Sequence, residues 1–141
     1  MDLQFAVSLV FLALTIWREA RGEPRACKVA VGASILNRVD RPSWWGRDVL
    51  SVATMKWQYS SLTDPKDPQL TTWPAAADRS WAECLDVASG LLTDVLHTTT
   101  PGADSYYDIS IAAPTWATPA TFVGQVGRIR FHNLDHDVET V

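Results

Sequence analysis

The stretch Trp17-Arg18-Glu19-Ala20-Arg21-Gly22-Glu23-Pro24 places a carboxylate at the end of a helix that is otherwise almost entirely apolar. Between residues 5 and 17 only Ser8 and Thr15 are polar, which is typical of a helix buried in a protein core. A glycine and a residue that precedes proline then disfavour helical dihedral angles, so the helix should end just before the glycine. This pattern predicts that Glu19 lies in the last turn of a buried helix.

Glu19 in that position has two opposite interpretations. Partial burial and the negative end of the helix dipole should both raise its pKa, whereas the nearby Arg18 and Arg21 should lower it. If both guanidinium groups turn to solvent, Glu19 is a candidate general acid. The alternative is an exposed carboxylate at a helix end, paired with Arg21.

The composition describes one globular domain over residues 1–141. Of the 141 residues, 47% are hydrophobic and 20% are charged, which suffices for a core without disulfide bonds. The net charge of -4 and the lack of any Lys/Arg run argue against a nucleic-acid binder. Cys27 and Cys84 fall in separate predicted helices and fit no zinc motif, so we expect two buried free thiols.

The apolar N-terminal run has a composition that signal peptides and membrane anchors share. It falls short of the roughly 20 residues that a membrane-spanning helix needs, and the leader Met1–Gln4 carries no positive charge. A cut after Ala20 would also remove the motif described above. We therefore expect a first core helix, no membrane anchor, synthesis in the cytoplasm and no export signal.

The remaining sequence predicts a mostly helical α+β domain with a small antiparallel sheet. The expected elements are helices over residues 26–39 and 47–54, a long ordered loop over 56–73, and a helix that starts at Pro74 and ends near Gly90 or at Leu96. Two short β-like runs follow, Ser105 to Ile109 and Phe122 or Val126 to Phe131.

Seven tryptophans are many for a chain of this length. Trp17 and Trp81 fall inside predicted helices and should belong to the core. The other five fall in loops or at the ends of elements: Trp44, Trp45, Trp57, Trp73 and Trp116. Indole faces suit the apolar faces of sugar rings, so several indoles in loops favour a carbohydrate groove, although core packing is the simpler explanation for any single one.

Histidines near the C-terminus suggest a metal site only weakly. The candidate ligands are His97, His132, His136, Asp135 and Asp137. A zinc site needs three convergent side chains, whereas most of these residues follow a predicted strand in what should be a frayed, solvated tail. We therefore expect no metal and no cofactor, since no glycine-rich phosphate loop or nucleophilic triad signature is present either.

Several short blocks match one known family in the order in which that family has them. They are Glu19-Ala20-Arg21-Gly22-Glu23, Val29-Ala30-Val31, Ile35-Leu36-Asn37-Arg38-Val39, Trp57-Gln58-Tyr59-Ser60, Asp64-Pro65, Gly102-Ala103, Tyr106-Tyr107, Pro114-Thr115-Trp116-Ala117, Gly127 and Phe131. On these residues the chain resembles the spore-cortex-lytic, or SleB-like, family of bacterial cell wall hydrolases, which includes lysis proteins of bacteriophages.

The resemblance implies a lysozyme-like fold and cleavage of the bond between N-acetylmuramic acid and N-acetylglucosamine in peptidoglycan. It also implies that Glu19 is the catalytic acid. The chain departs from the family's pattern at Ile129, where a histidine is usual, and at His132, where an aromatic is usual. It also has Arg18 where a small or polar residue usually precedes the acid.

Glycoside cleavage ordinarily uses two carboxyl groups, and Glu23 is the obvious second candidate. Its position before Pro24 should turn it off the Glu19 face, where it would orient Arg21, Arg38 or a loop. We therefore favour a one-carboxylate route, as in lytic transglycosylases. With Glu23, the expected substrate-site residues are Gln58, Ser60, Tyr106 and Tyr107, which would hold the sugar, and Trp116, which would form a groove wall.

Three alternatives stay open at this point. A hydrolytic muramidase could position water with Asp64, Asp104 or Asp108. A non-catalytic peptidoglycan-binding module would keep the groove without the chemistry, and a metal-dependent peptide or amide hydrolase would depend on the histidines. The short chain without an export signal is typical of a bacteriophage endolysin, a monomer that acts on peptidoglycan glycan strands after release through a membrane hole.

Overall fold

The computed structural model describes residues 2–41, 45–55 and 59–134. The helices are α1 (Leu3–Ala20), α2 (Arg25–Asp40), α3 (Val49–Thr54), α4 (Ser60–Thr63) and α5 (Arg79–Leu92), with a 3-10 turn over Pro68–Thr71. The strands are β1 (Ser105–Asp108), β2 (Phe122–Val126) and β3 (Ile129–His132). The predicted mostly helical α+β architecture is therefore confirmed.

The core forms around the C-terminal half of α1, which packs against α2, α3 and α5. Leu12 and Ile16 on α1 are fully buried, as are Val31 on α2 and Val87 on α5. The helices approach closely at Gly32, where an added Cβ would lie 2.6 Å from Leu91 and 2.8 Å from Ile16. A larger residue at this crossing would force the ends of the Leu91 and Ile16 side chains to move.

The ends of α1 follow from its sequence. The Asp2 side chain caps the first turn by accepting the N–H of Phe5, and the last turn closes where the N–H of Arg21 donates to the Trp17 carbonyl. Glu19 therefore lies in the last turn, as predicted. The bounds of α2 and α3 also agree with the sequence prediction to within two residues at each end.

The prediction that α5 starts at Pro74 is wrong. Asp78 is the N-cap, because its side chain accepts the backbone N–H groups of Ser80 and Trp81. The same carboxylate accepts the indole N–H of Trp17 at 3.2 Å, which ties the start of α5 to the end of α1. Gly90 does not interrupt the helix, which ends at Leu92 and does not reach Leu96.

The sheet has three antiparallel strands in the order β1-β3-β2, so the prediction of two strands is wrong. The second predicted run divides at Gly127, whose φ of 56° suits a glycine in the turn between β2 and β3. On β3, Phe131 pairs with Tyr106 and His132 pairs with Ser105. Since side chains alternate between the faces of a strand, Tyr106 and Tyr107 lie on opposite faces of the sheet.

The N-terminal helix is longer than the sequence estimate of its apolar run. Among the described residues α1 alone is long and apolar enough to cross a membrane, and 44% of its window is buried inside the protein. The expectation that it is too short to span a bilayer is therefore wrong as to length. Its C-terminal half has the burial of a core helix.

Candidate active site

Glu19 lies half-buried where α1 ends, facing the first strand of the sheet. The Tyr106 hydroxyl donates a hydrogen bond to Glu19 Oε1 at 2.5 Å. Burial of the carboxyl raises the pKa of Glu19, and this effect outweighs the lowering by Tyr106 and Ser61; the charge of Asp67 raises the pKa further. A raised pKa keeps a proton on Glu19 that a general acid can deliver.

Tyr106 is held in place by aromatic neighbours on the same side of the sheet. Its ring centroid lies 5.8 Å from that of Phe131 and 6.5 Å from that of Tyr59. Burial and the neighbouring Glu19 raise the pKa of Tyr106 well above its usual value, so the phenol keeps its hydrogen. Because Tyr106 donates to Oε1, the acidic hydrogen of Glu19 is left to Oε2.

Two further hydroxyl groups lie buried beside this pair. Within the described residues, Tyr59 Oη and Ser61 Oγ have no partner that meets hydrogen-bond geometry. Ser61 nonetheless lies close enough to Glu19 to lower its pKa. Neither residue was predicted as a site residue from the sequence, although Tyr59 stands within the matched block at residues 57–60 and Ser61 directly follows it.

Arg38 places a buried positive charge behind this cluster. Its Nε donates to the Asp104 carbonyl at 2.5 Å, and its Nη2 donates to Ser105 Oγ at 3.3 Å. The guanidinium carbon lies 5.2 Å from the ring centroid of Trp45 and 5.5 Å from that of Tyr59. Arg38 thus joins α2 to the start of β1, the strand that carries Tyr106.

Arg18 does not turn to solvent, which was one condition for Glu19 to act as a general acid; it is instead held away from Glu19 by other groups. Its guanidinium donates to three backbone carbonyls, those of Ser61 at 3.0 Å, Leu70 at 3.2 Å and Thr72 at 3.3 Å. Only 6% of Arg18 is exposed, and desolvation lowers the pKa of its guanidinium. Backbone carbonyls of the segment that follows α3 surround the Arg18 guanidinium. These carbonyls, and not the Glu19 carboxylate, accept its hydrogen bonds.

Arg21 does not form the expected pair with Glu19 either. Its Nη1 donates to the Trp17 carbonyl at 3.2 Å and to the Gln69 side chain at 2.7 Å. Its guanidinium carbon stacks 4.1 Å above the Trp17 ring. The interpretation of Glu19 as an exposed carboxylate paired with Arg21 is therefore wrong.

Glu23 lies beyond the end of α1, as predicted. Its N–H donates to the Ala20 carbonyl, and its carboxylate lies against the turn between β2 and β3, where a Cβ added to Gly127 would be 3.0 Å from Glu23 Oε2. Glu23 was expected to orient Arg21, Arg38 or a loop, and it lies against the loop between β2 and β3.

The other predicted substrate residues are divided between two places. Ser60 begins α4, and its hydroxyl donates to Asp67 at 2.7 Å. Tyr107 and Trp116 meet edge to face, with centroids 6.1 Å apart, on the opposite face of the sheet from Tyr106. Gln58 lies outside the described residues. The structure therefore brings Tyr106 to Glu19, and it does not bring Tyr107 and Trp116 to that face.

Comparisons with known proteins agree with this architecture. Residues 22–132 match the family model described as Cell Wall Hydrolase. The chain belongs to this family. It is a peptidoglycan-cleaving cell wall enzyme, and the SleB-like resemblance seen in the sequence is confirmed.

Two solved structures have the same fold as this cell wall hydrolase. The catalytic domain of the Bacillus cereus SleB protein is 25% identical, with a TM-score of 0.67 and coverage of 89% of each chain. The catalytic domain of the germination-specific lytic transglycosylase SleB from Bacillus anthracis is 23% identical, with a TM-score of 0.67 and coverage of 94% of this chain and 97% of that one. The lysozyme-like fold class is thereby confirmed. A comparison with curated proteins finds no match.

The family match begins at Gly22, so Glu19 lies just before the matched range of this cell wall hydrolase. The assignment of Glu19 as the acid therefore depends on the sequence block that contains it and on the geometry described above.

The prediction that His132 lies in a frayed, solvated tail is wrong. His132 ends β3 with only 2% of its surface exposed, and its ring stacks 5.9 Å from Tyr107 and meets Trp116 at 5.5 Å. Its Nδ1 lies 3.0 Å from the Thr121 hydroxyl, and burial lowers its pKa. His136, Asp135 and Asp137 lie outside the described residues. Over residues 2–41, 45–55 and 59–134, no three His, Cys, Asp or Glu side chains gather as a metal site would require.

The tryptophans of the cell wall hydrolase also divide by burial. Trp17 is in the core as predicted, and Trp81 packs against the core half-buried. Trp45 is only 4% exposed, so it packs in the core, the simpler of the two explanations given for a single indole, and does not line a groove. Trp73 is 67% exposed. Trp44 and Trp57 lie outside the described residues.

Cys27 and Cys84 are free and buried, as predicted, and burial raises the pKa of their thiols to about 12 and about 11.

Proposed function

We propose that this enzyme is a lytic transglycosylase that cleaves the bond between N-acetylmuramic acid and N-acetylglucosamine with Glu19 as its single catalytic carboxyl group. The observation that carries the proposal is the buried Glu19 carboxyl, whose pKa is raised and whose Oε1 accepts the Tyr106 hydroxyl. This arrangement leaves Oε2 to hold and deliver a proton.

The reaction begins when Glu19 Oε2 donates its proton to the glycosidic oxygen. The bond from that oxygen to C1 of the muramyl sugar then breaks, and positive charge develops at C1. Glu19, now a carboxylate, takes the proton of the muramyl 6-hydroxyl, whose oxygen bonds to C1. The products are a free 4-hydroxyl on one fragment and a 1,6-anhydro muramyl end on the other, and no water is consumed.

Tyr106 supports both halves of this cycle. Its hydrogen bond to Oε1 is stronger when Glu19 is ionised, because bonds to charged acceptors are shorter and stronger. The bond therefore stabilises Glu19 after it has given up its proton, and it fixes the oxygen that faces the reacting bond. Glu23 lies against the β2–β3 turn and serves to orient that turn.

A hydrolytic mechanism would need a second carboxylate to position water. The three aspartates considered for that role each accept a backbone N–H: Asp64 from Lys66, Asp104 from Leu134 and Asp108 from Ser110. Asp67, whose charge reaches Glu19, accepts the N–H of Gln69 and the hydroxyl of Ser60. These bonds give each carboxylate a structural task, which favours the one-carboxylate route.

Digestion of purified peptidoglycan in water enriched in oxygen-18 tests the reaction type. A transglycosylase incorporates none of the heavy oxygen, and its fragments end in 1,6-anhydro muramyl groups. A muramidase leaves reducing ends that carry one heavy oxygen and have the mass of one extra water. Heavy oxygen at the new muramyl ends would overturn the transglycosylase proposal while leaving Glu19 as a possible acid.

We further propose that the protein acts as a single-domain, monomeric bacteriophage endolysin that is released from the cytoplasm through a membrane hole. The support is that α1 is part of the core and carries Glu19, so it cannot be removed as a leader without loss of the acid. Expression in a bacterium should leave cells intact until the inner membrane is permeabilised. Lysis without permeabilisation, or an N-terminus found cleaved after Ala20, would contradict this proposal.

A further inference from the structure

Trp73 is a large aromatic side chain held at the surface in one orientation. It follows the 3-10 turn, and 67% of it is exposed. One face of the indole lies over the guanidinium carbon of Arg18, 4.5 Å from the ring centroid. The exposed part of the ring is therefore left in water while its inner face is fixed.

Arg18 makes this support rigid. Its guanidinium donates to the carbonyls of Ser61, Leu70 and Thr72, and the residue itself is buried. Because three backbone carbonyls fix the guanidinium, it gives the inner face of the indole a contact at a fixed position. A preorganised aromatic surface loses little conformational freedom when a ligand stacks on it.

The position of Trp73 relates it to the catalytic carboxyl. Arg18 directly precedes Glu19, and the Ser61 residue whose carbonyl binds Arg18 also places its hydroxyl near Glu19. Arg18 thus contacts the indole directly and reaches the surroundings of the acid through Ser61. A glycan strand bound with its scissile bond at Glu19 extends beyond the acid in both directions, so its outer sugars can reach surface residues around Arg18.

We propose that Trp73 is a stacking subsite for a saccharide ring of the glycan strand at a position beyond the two sugars that flank the scissile bond. The proposal rests on the proposed function, because it takes the strand to be centred on Glu19. Pyranose rings of amino sugars present a flat face of C–H groups, which pairs with an indole face, while their hydroxyl and acetamido groups stay in water. The predicted ligand is therefore the aminosugar chain itself, and its stem peptides are not needed for this contact.

The test measures binding in a protein that does not cleave its ligand. Glu19→Gln is titrated with peptide-free glycan strands prepared from peptidoglycan, and the dissociation constant is compared with that of the double variant Glu19→Gln/Trp73→Ala. We expect the loss of the indole to weaken binding about tenfold, the usual effect of truncating an aromatic anchor. Val95→Ala is the control, since Val95 is 72% exposed and lies just beyond the C-terminal end of α5.

Two further substitutions separate stacking from a general apolar contact or a folding defect. Trp73→Phe keeps a ring and should restore most of the affinity, whereas Trp73→Leu should not. Equal affinity for the alanine, leucine and parent proteins would overturn the proposal, and so would full rescue by leucine. In otherwise wild-type protein, Trp73→Ala should raise KM for long strands and leave kcat unchanged, and KM for a tetrasaccharide should not move.

These outcomes differ from a failure of the proposed function. If Glu19 were not the acid, Glu19→Gln would release soluble fragments during the titration, which is scored separately by mass spectrometry. Weaker binding of glycan strands by Glu19→Gln/Trp73→Ala would then still assign the saccharide subsite to Trp73. Tighter binding to free stem peptides than to the glycan strands would assign the Trp73 surface to the peptide and overturn the saccharide subsite.

Discussion

At the scale of single residues, the catalytic carboxyl and its phenol partner come from distant parts of the chain. The Glu19 block could be recognised in the sequence as the end of a buried helix. The bond from Tyr106 to Glu19 could not be predicted, because side chains alternate along a strand. Until the pairing with β3 is known, Tyr106 and Tyr107 are each compatible with either face.

Tyr106→Phe removes the hydrogen bond to Glu19 Oε1 with little change in shape. This bond lowers the pKa of Glu19, so its loss should raise that pKa further and move the basic limb of the pH–rate profile to higher pH. The carboxylate formed after proton donation also loses a charge-assisted bond, and kcat should fall by about tenfold to a hundredfold.

Tyr107→Phe is the control for this change, since it removes a hydroxyl from the opposite face of the same strand. Its pH–rate profile should match that of the wild type. An unchanged profile in Tyr106→Phe, or equal effects of the two substitutions, would remove Tyr106 from the catalytic site.

Glu19→Gln should also change how stability depends on pH. The folded protein holds the Glu19 proton more tightly than the unfolded chain, in which the pKa of a glutamate is about 4.3. Stability should therefore fall as pH rises from about 4.3 through the raised pKa of Glu19, and the loss should stay constant above that pKa. The variant should therefore unfold at a higher temperature than the wild type at pH 7. The difference should shrink towards zero as pH falls below about 4.3. Thermal unfolding measured from pH 4 to 8 checks this, and a difference independent of pH would show that Glu19 has no raised pKa.

At the scale of elements, prediction from the sequence succeeded where the signals are local. Apolar periodicity and a glycine before a proline give the bounds of α1 because neighbouring residues determine them. The start of α5 could not be placed, because Asp78 is selected as the cap partly by a bond to Trp17, far away in the sequence. Arg18 was misjudged for the same reason: its carbonyl partners belong to a segment without periodicity.

Arg18→Lys tests whether this segment depends on the guanidinium. An ammonium group reaches fewer of the three carbonyls and cannot match the planar fork, so the free energy of unfolding should fall by about 2–3 kcal/mol. Amide hydrogen exchange should become faster over residues 61–72. Arg25→Lys is the control, because its ion pair with Asp86 is exposed and should contribute less than about 1 kcal/mol. Equal protection of residues 61–72 in both variants would contradict the role assigned to Arg18.

His132 makes the sheet sensitive to pH. The Thr121 hydroxyl lies 3.1 Å from the Thr118 carbonyl, to which it donates, so its oxygen accepts from Nδ1–H of a neutral His132. Of the groups packed around this ring, the neighbouring charge of Arg130 adds to burial in lowering the pKa. The unfolded chain therefore binds a proton more readily than the folded protein, and stability should fall as pH drops below about 6.5.

His132→Phe keeps the ring contacts with Tyr107 and Trp116 and removes the titration. Its stability should therefore depend less steeply on pH below about 6.5 than that of the wild type. His97→Asn is the control, since His97 is exposed. A wild-type slope in His132→Phe, measured by thermal unfolding, would show that His132 is not the titrating group.

At the scale of the whole molecule, one helix both builds the core and delivers the acid. The C-terminal half of α1 is buried against three helices, and its last turn meets the sheet through Glu19 and Tyr106. The mostly helical α+β class could be predicted because apolar patterning marks the long helices that form the core, whereas the lysozyme-like fold was implied only by the family resemblance. The distribution of aromatic residues over the two faces of the sheet could not, because it depends on strand register and on the division of the last run into β2 and β3.

The most direct test of the account is the release of soluble fragments from purified peptidoglycan by the wild type, Glu19→Gln and Tyr107→Phe, with folding of each checked by thermal unfolding. We expect fragments with 1,6-anhydro muramyl ends from the wild type and from Tyr107→Phe. We also expect a rate lower by about a hundredfold or more for a folded Glu19→Gln. Release at the wild-type rate by folded Glu19→Gln would contradict the role of Glu19 as the catalytic acid.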